Sequence, residues 1–289
     1  MPSTKAATLS GLLAILLWSS LALLTTHTDG LPPFQVLATG FGFAALFGLL
    51  RTLLRGRAGW AELRQPWSAL ALATVALFGY HALYFIALKR APAVEANLLN
   101  YLWPLLIVLF AGLLPGVRVR RAQVAGTLLG LVAAVVLVTR GSSIEIQPQY
   151  LPGYLAALGA AVIWAAYSVL NRRHAAVPSA SITVACALVA LFGAIVHGLF
   201  EQSVPPRPGQ WLALLLMGLG PVGAAFLLWD HGTKRGDIAL LGSLSYLAPL
   251  LSTLLLVLAG RAAPHWSQAV AIGLLLVGAW LSVRKPTHE

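Results

Sequence analysis

Asn97, Asn100, Tyr101 and Pro104 stand at i, i+3, i+4 and i+7, which on a helix is a single face. Gly242, Ser245, Tyr246 and Pro249 repeat that stripe in the second half of the chain. A proline cannot donate to the carbonyl four residues back, so Pro104 frees the Asn100 carbonyl and Pro249 that of Ser245. Each stripe therefore offers an acceptor beside a tyrosine, at an expected kink. Tyr80 and Tyr84 lie one turn apart with His81 adjacent, and they read as a cavity wall. Trp164, Tyr167, Ser168 and Asn171 share a face; Trp18 is followed by Ser19 and Ser20. The chemistry on offer is recognition by hydrogen bonds and ring faces rather than bond making. The plainer alternative is a packing kink whose tyrosines bond to neighbouring helices. Recurrence of the feature, and the cost of polar groups in lipid, favour a site.

These residues belong to a duplicated element. KRAPAVEANLLNYLWPLL, from Lys89 to Leu106, recurs as KRGDIALLGSLSYLAPLL, from Lys234 to Leu251. Lys89, Arg90, Leu99, Tyr101, Leu102, Pro104, Leu105 and Leu106 each have an identical partner 145 positions on. A repeat at about half the chain length fixes the architecture before local detail does. Trp18 and Trp164 are a similar pair, one residue off that register. They lie halfway along their apolar segments, as does Trp103, where an interfacial role for tryptophan fits poorly.

The chain has 289 residues, 59% of them hydrophobic and 9% charged, whereas soluble domains carry about 25% charged residues. The charges cluster between long apolar runs of membrane-spanning length. An all-α integral membrane protein follows, since a spanning helix satisfies its own backbone in lipid. The net charge of +11 does not indicate nucleic acid, because the basic residues sit in short connections rather than on one basic surface. With Cys186 as the single cysteine, no disulfide forms within the chain. No second histidine stands at ligand spacing beside His81, so no metal is expected. Neither is a cofactor.

Ten spans are expected: Leu9 to Thr26, Phe34 to Leu54, Trp67 to Leu88, Pro92 to Leu114, Gln123 to Thr139, Leu151 to Leu170, Ser179 to Phe200, Gln210 to Gly232, Asp237 to Ala259 and Ser267 to Val283. The first could pass for a signal peptide, but it has a counterpart in the second half. Pro92 suits a first helical position, and Asp237 can cap the helix it precedes. With the N-terminus cytoplasmic, only Lys89, Arg90, Arg140, Arg207 and Arg261 of the 19 basic residues face outward. That asymmetry puts both termini inside. Five spans per half turn the second copy, residues 151–289, upside down relative to the first, residues 1–140, with 141–150 as connector. Inverted repeats of this kind enclose a site near the bilayer midplane in secondary transporters.

Spans two, five, seven and ten are poorer in polar and aromatic groups, and five and ten read as peripheral supports. Gly126 and Gly130 give a small-xxx-small packing signal. Glu95 is expected to pair with Lys89 or Arg90, and Asp230 with Lys234, as interfacial ion pairs. No acid stands alone at a midplane, which argues against strong proton coupling. Asp230-His231 is the one adjacent acid-histidine pair and no paired motif surrounds it, so an enzyme is not expected.

WSSLALL around Trp18, YHALYFIALKRAPAVEANLLNYLWPLL from Tyr80 to Leu106 and SLSYLAPLLS from Ser243 to Ser252 carry a family resemblance. The chain resembles the EamA-type members of the drug/metabolite transporter superfamily, and within them the YddG-type amino-acid exporters. That resemblance implies a bacterial inner-membrane exporter of amino acids, aromatic ones prominent, working by alternating access. It implies a cavity lined by spans one, three, four, six, eight and nine, with five and ten outside. The residues suit such a substrate. Its side chain would stack on Trp or Tyr rings. Its ammonium would meet the freed carbonyls and tyrosine faces. Asn97, Asn100, Ser243 and Ser245 would donate to its carboxylate. Without an arginine in the cavity, affinity should be weak. Trp18, Tyr80, His81, Tyr84, Asn97, Asn100, Tyr101, Trp103, Trp164, Tyr167, Ser168, Ser243, Ser245 and Tyr246 are the expected contacts, in a protein expected to act as a monomer in the lipid bilayer. Export of another small metabolite or a drug-like cation is the alternative.

Overall fold

The computed structural model describes residues 3–144 and 147–283. Among them are ten helices long and apolar enough to cross a membrane: α1 Thr4–Thr25, α2 Pro33–Leu54, α3 Trp67–Arg90, α4 Ala93–Ala111, α5 Arg121–Thr139, α6 Pro148–His174, α7 Ser179–Phe200, α8 Pro208–Arg235, α9 Ile238–Leu258 and α10 Trp266–Val283. The protein is all-α, as its composition requires, and all ten expected spans are present. Arg284 and Lys285, counted above toward the inner face, and Glu145 and Ile146 of the connector lie outside the described residues. Asp237 caps α9 by accepting from the Leu240 amide at 2.9 Å. Pro92 sits one place earlier than expected, as the residue preceding the first turn of α4.

The outer surface is apolar. Leu54, Leu113, Phe200 and Leu258 are all exposed, as lipid-facing side chains should be. Trp60 and Trp67 near one face, and Trp211 and Trp266 near the other, supply exposed rings where a bilayer meets water.

The two halves meet through matched seams. The α3–α6 and α1–α8 pairs pack tightly because the contact positions are small. A Cβ on Gly232 would come within 2.7 Å of the Gly11 Cα, and one on Gly153 within 2.7 Å of Ala91. Thr8 accepts from the Asp237 amide at 2.9 Å, tying the start of α1 to the end of α8. The start of α6 lies on the end of α3 in the same way, so the second half runs opposite to the first. Helices α5 and α10 pair at the periphery through Gly126 and Gly278, which a side chain would push apart. Gly130, the other member of that small-xxx-small pattern, instead receives the ring of Tyr246.

Four spans depart from a regular helix in their interior: α1 at Ser20, α4, α8 and α9, of which α4 and α9 do so where the sequence foreshadows it. Helix α4 breaks at Tyr101 and Leu102, between Ala93–Asn100 and Trp103–Ala111. Helix α9 breaks at Ser245 and Tyr246, between Ile238–Leu244 and Leu247–Leu258. Pro104 and Pro249 cause both breaks. Helix α8 contains a π-turn at Gly220–Ala224, where its repeat mate α3 is continuous. Such bulges free backbone groups within a helix. One is used: Trp18 Nε1 donates to the Pro221 carbonyl at 3.0 Å.

Candidate functional site

A cavity of about 740 Å³ opens on the face opposite the N-terminus. Its mouth is formed by residues 25–31, Lys89 at the end of α3 and Ser252 in α9. Its floor is a cluster of aromatic rings. Trp18 lies 5.6 Å from Trp164, 6.4 Å from Trp103 and 5.0 Å from Trp229, centroid to centroid. Phe226 closes the same group, 5.7 Å from Trp164 and stacked on Phe41 at 5.7 Å. Edge-to-face and offset pairs of this kind hold rings in fixed orientations.

The polar groups occupy one wall. Tyr80 stacks on Tyr84 at 6.0 Å and accepts from Asn100 Nδ2 at 3.1 Å. Asn100 is buried and its Oδ1 has no hydrogen-bond partner. His81 Nδ1 bonds the Leu77 carbonyl at 2.7 Å, so that nitrogen carries the proton and Nε2 is left as an acceptor. Tyr101 also lines the cavity. Of the expected contacts, Trp18, Tyr80, His81, Tyr84, Asn100, Tyr101, Trp103 and Trp164 are thus brought together.

The others lie elsewhere, each for a local reason. Asn97 accepts from the Tyr84 hydroxyl and donates to the Ala93 carbonyl, so both ends of its amide are engaged. Ser168 accepts from Trp229 Nε1 at 3.1 Å beneath the floor. Tyr167 is buried with its hydroxyl directed at Asp230. Ser243 is paired with Thr127 of α5 at 2.6 Å, and Ser245 donates to the Leu241 carbonyl at 2.7 Å. Tyr246 packs among Ala133, Ala134 and Leu275, away from the cavity. The freed carbonyls also differ from expectation. The Ser245 carbonyl is taken by the Ala248 amide at 3.1 Å, because the chain tightens into an i+3 turn at the proline.

Further corrections concern α2 and the acids. Helix α2 is not a bystander: Val36, Leu37, Gly40 and Phe41 form part of the cavity wall. Among the described residues Glu95 makes no ion pair, and its buried Oε2 has no partner; it lies in the first turn of α4. Asp230 and Lys234 do pair, at 2.9 Å, but both are almost wholly buried rather than interfacial. Phe41, Phe226 and Trp229 were not singled out by sequence. The repeat held the signal for two of them, since Phe226 and Trp229 fall at the positions of His81 and Tyr84.

The chain matches the EamA-like transporter family over residues 5–139 and again over residues 151–284. It belongs to that family. It is 52% identical over 278 residues to the aromatic amino acid exporter YddG of Ancylobacter novellus, covering 96% of each chain. It is 30% identical to the protein of the same name from Escherichia coli, over 96% of this chain and 98% of that one. A solved structure titled "Crystal structure of protein" superposes with a TM-score of 0.92 at 51% identity, covering 96% of both chains. This EamA-family chain is therefore a multi-pass membrane transporter and not an enzyme.

Proposed function

We propose that this protein exports amino acids, aromatic and other neutral ones, across the bacterial inner membrane by alternating access. The observation that carries the reading is the cavity: about 740 Å³, floored by indole and phenyl rings, with its polar groups confined to one wall. An aromatic side chain lies against Trp18, Trp164 and Phe226, where ring contacts are worth about 0.5–1.5 kcal/mol beyond area burial. The substrate's head group turns to the polar wall. Asn100 Oδ1 and His81 Nε2 accept from the ammonium, while the Tyr80 and Tyr101 hydroxyls donate to the carboxylate. The relatives named as aromatic amino acid exporters support that assignment.

Basic residues concentrated on the N-terminal face support a cytoplasmic N-terminus. The cavity then opens to the outside, in a release state. Among the described residues no arginine lines the cavity and its one lysine, Lys89, stands at the mouth, so beside the aromatic floor the carboxylate is held by neutral donors and leaves readily. We read the two halves as units meeting at residues 141–150.

The test is counterflow of labelled phenylalanine, tyrosine and alanine into vesicles holding only this protein. Exchange above that of empty vesicles is expected. Exchange of a hydrophobic cation with none of any amino acid would move the substrate to the drug-like class and overturn the assignment. An N-terminal tag should be shielded from antibody in intact spheroplasts.

A further inference from the structure

Lys89 and Lys234 are the same position in the two repeats, yet their surroundings are opposite. Lys89 is exposed at the mouth of the cavity, and among the described residues it makes no hydrogen bond or ion pair. Lys234 is 4% exposed. Its Nζ donates to Asp230 Oδ2 at 2.9 Å and to the Val177 carbonyl at 3.1 Å. Asn171 donates to the other Asp230 oxygen at 2.9 Å.

The same contrast extends to the neighbouring backbone. The end of α6 and the loop after it are fastened to the end of α8. Arg172 donates to the carbonyls of Thr233 and Gly236 at 3.0 and 2.8 Å, and Arg235 to that of Ala175 at 3.0 Å. The corresponding loop between α1 and α2 has no such bond to the end of α3 among the described residues, and the cavity opens there.

The seams differ in parallel. On the open face, Trp18, Leu21 and Thr25 of α1 and Met217 and Pro221 of α8 line the cavity. The pseudo-two-fold carries α1 onto α6 and α8 onto α3. At that place, toward the N-terminal face, Ala71, Leu72 and Ala76 meet Ile163, Ala166 and Leu170 around an apolar groove of about 360 Å³.

We propose that the link from the Asp230–Lys234 pair of α8 to the α6–α7 connection, through Lys234 to the Val177 carbonyl and Asn171 to Asp230, is the lock of the closed face. When it parts, the second access path opens between α3, α6, α7 and α8. Lys234 then stands at the inner mouth as Lys89 stands at the outer one. The proposal rests on the alternating-access reading above. A buried pair suits a lock, because its desolvation cost leaves little net stability while its geometry admits one arrangement.

The test uses reporter cysteines at two repeat mates, Thr233→Cys and Leu88→Cys, each with Cys186→Ala. Thr233 is fully buried, whereas Leu88 lines the present mouth. Labelling by a polar maleimide is timed on the purified full chain. Removing both charges with Asp230→Asn and Lys234→Met leaves no orphan ion, so the fold survives. It should raise the labelling rate at position 233 by about tenfold and lower it at position 88, since population gained by one state is lost by the other. Lys234→Arg, which keeps a cation for Asp230 and a donor for the Val177 carbonyl, should leave labelling at 233 slow. Unchanged rates at both reporters overturn the lock, and so do rates that rise at both, which would mark the pair as a structural tie. Amino-acid flux in the parent chain is measured alongside. Flux with unmoved reporters removes the lock alone. Traded accessibility without any flux upholds the lock and removes the transport reading.

Discussion

The hydroxyl of Tyr246 donates to the backbone carbonyl of Tyr101 at 2.9 Å, joining the two residues that occupy the same place in the two repeats. The two broken helices are therefore tied at their kinks. Pro104 and Pro249 interrupt the regular ladders there, and this bond gives one interrupted backbone a partner from the other half. Tyr246→Phe keeps the ring on Gly130 and removes only the bond. It should cost about 1 kcal/mol, read as a melting temperature lower by roughly 2–4 °C in detergent. An unchanged melting curve would show that water replaces the hydroxyl without loss.

Gly130 should tolerate no large side chain, because the Tyr246 ring lies where its Cβ would stand. Gly130→Leu would overpack this contact and destabilise the protein by about 1–3 kcal/mol. The loss is checked by thermal unfolding. Gly273, with open space around its missing side chain, serves as the matched control in the partner helix.

Trp164 touches Trp18, Tyr80, Trp103 and Phe226 at once. Trp164→Ala should lower aromatic amino-acid flux about three- to tenfold, the equivalent of one lost ring contact, while protein levels hold. Tyr101→Ala should act in the same direction. Flux unchanged in both would remove the cavity floor from the substrate path.

Asn100 offers the test of head-group orientation. Asn100→Leu removes the lone Oδ1 acceptor, and a hydrogen bond to a charged group is worth about 1.5–3 kcal/mol. Phenylalanine should then compete about tenfold or more weakly for transport. Its deaminated analogue, 3-phenylpropionate, should be unaffected, because it has no ammonium to lose. Equal losses for both compounds would place Asn100 among packing residues.

Much of this protein is legible in its sequence because lipid leaves little choice. Uncharged runs must be helices, and the prolines at 104 and 249 must break them. Facing was harder to read. Tyr101 and Tyr246 share Leu two places before, Leu one place after and Pro three places after, yet one lines the cavity and the other lies buried on α5. The ring of Tyr246 rests on Gly130, whose place in the other repeat is taken by Leu275, a difference that lies in helices distant from either tyrosine in sequence. Phe41 was missed for a related reason: an apolar ring in an apolar helix carries no mark of facing a cavity. Ser243 looked available until Thr127, from a helix distant in sequence, proved to be its partner.

The π-turn at Gly220–Ala224 belongs to one repeat alone. A duplicated chain with two identical copies would rest equally in either pose, and nothing would set a direction of idle. Here the extra backbone carbonyl at Pro221 has a tryptophan to hold and its counterpart in α3 has none. The two copies are thereby unequal at the seam between α1 and α8, and on the export reading proposed above the two poses of the carrier are not mirror images in energy.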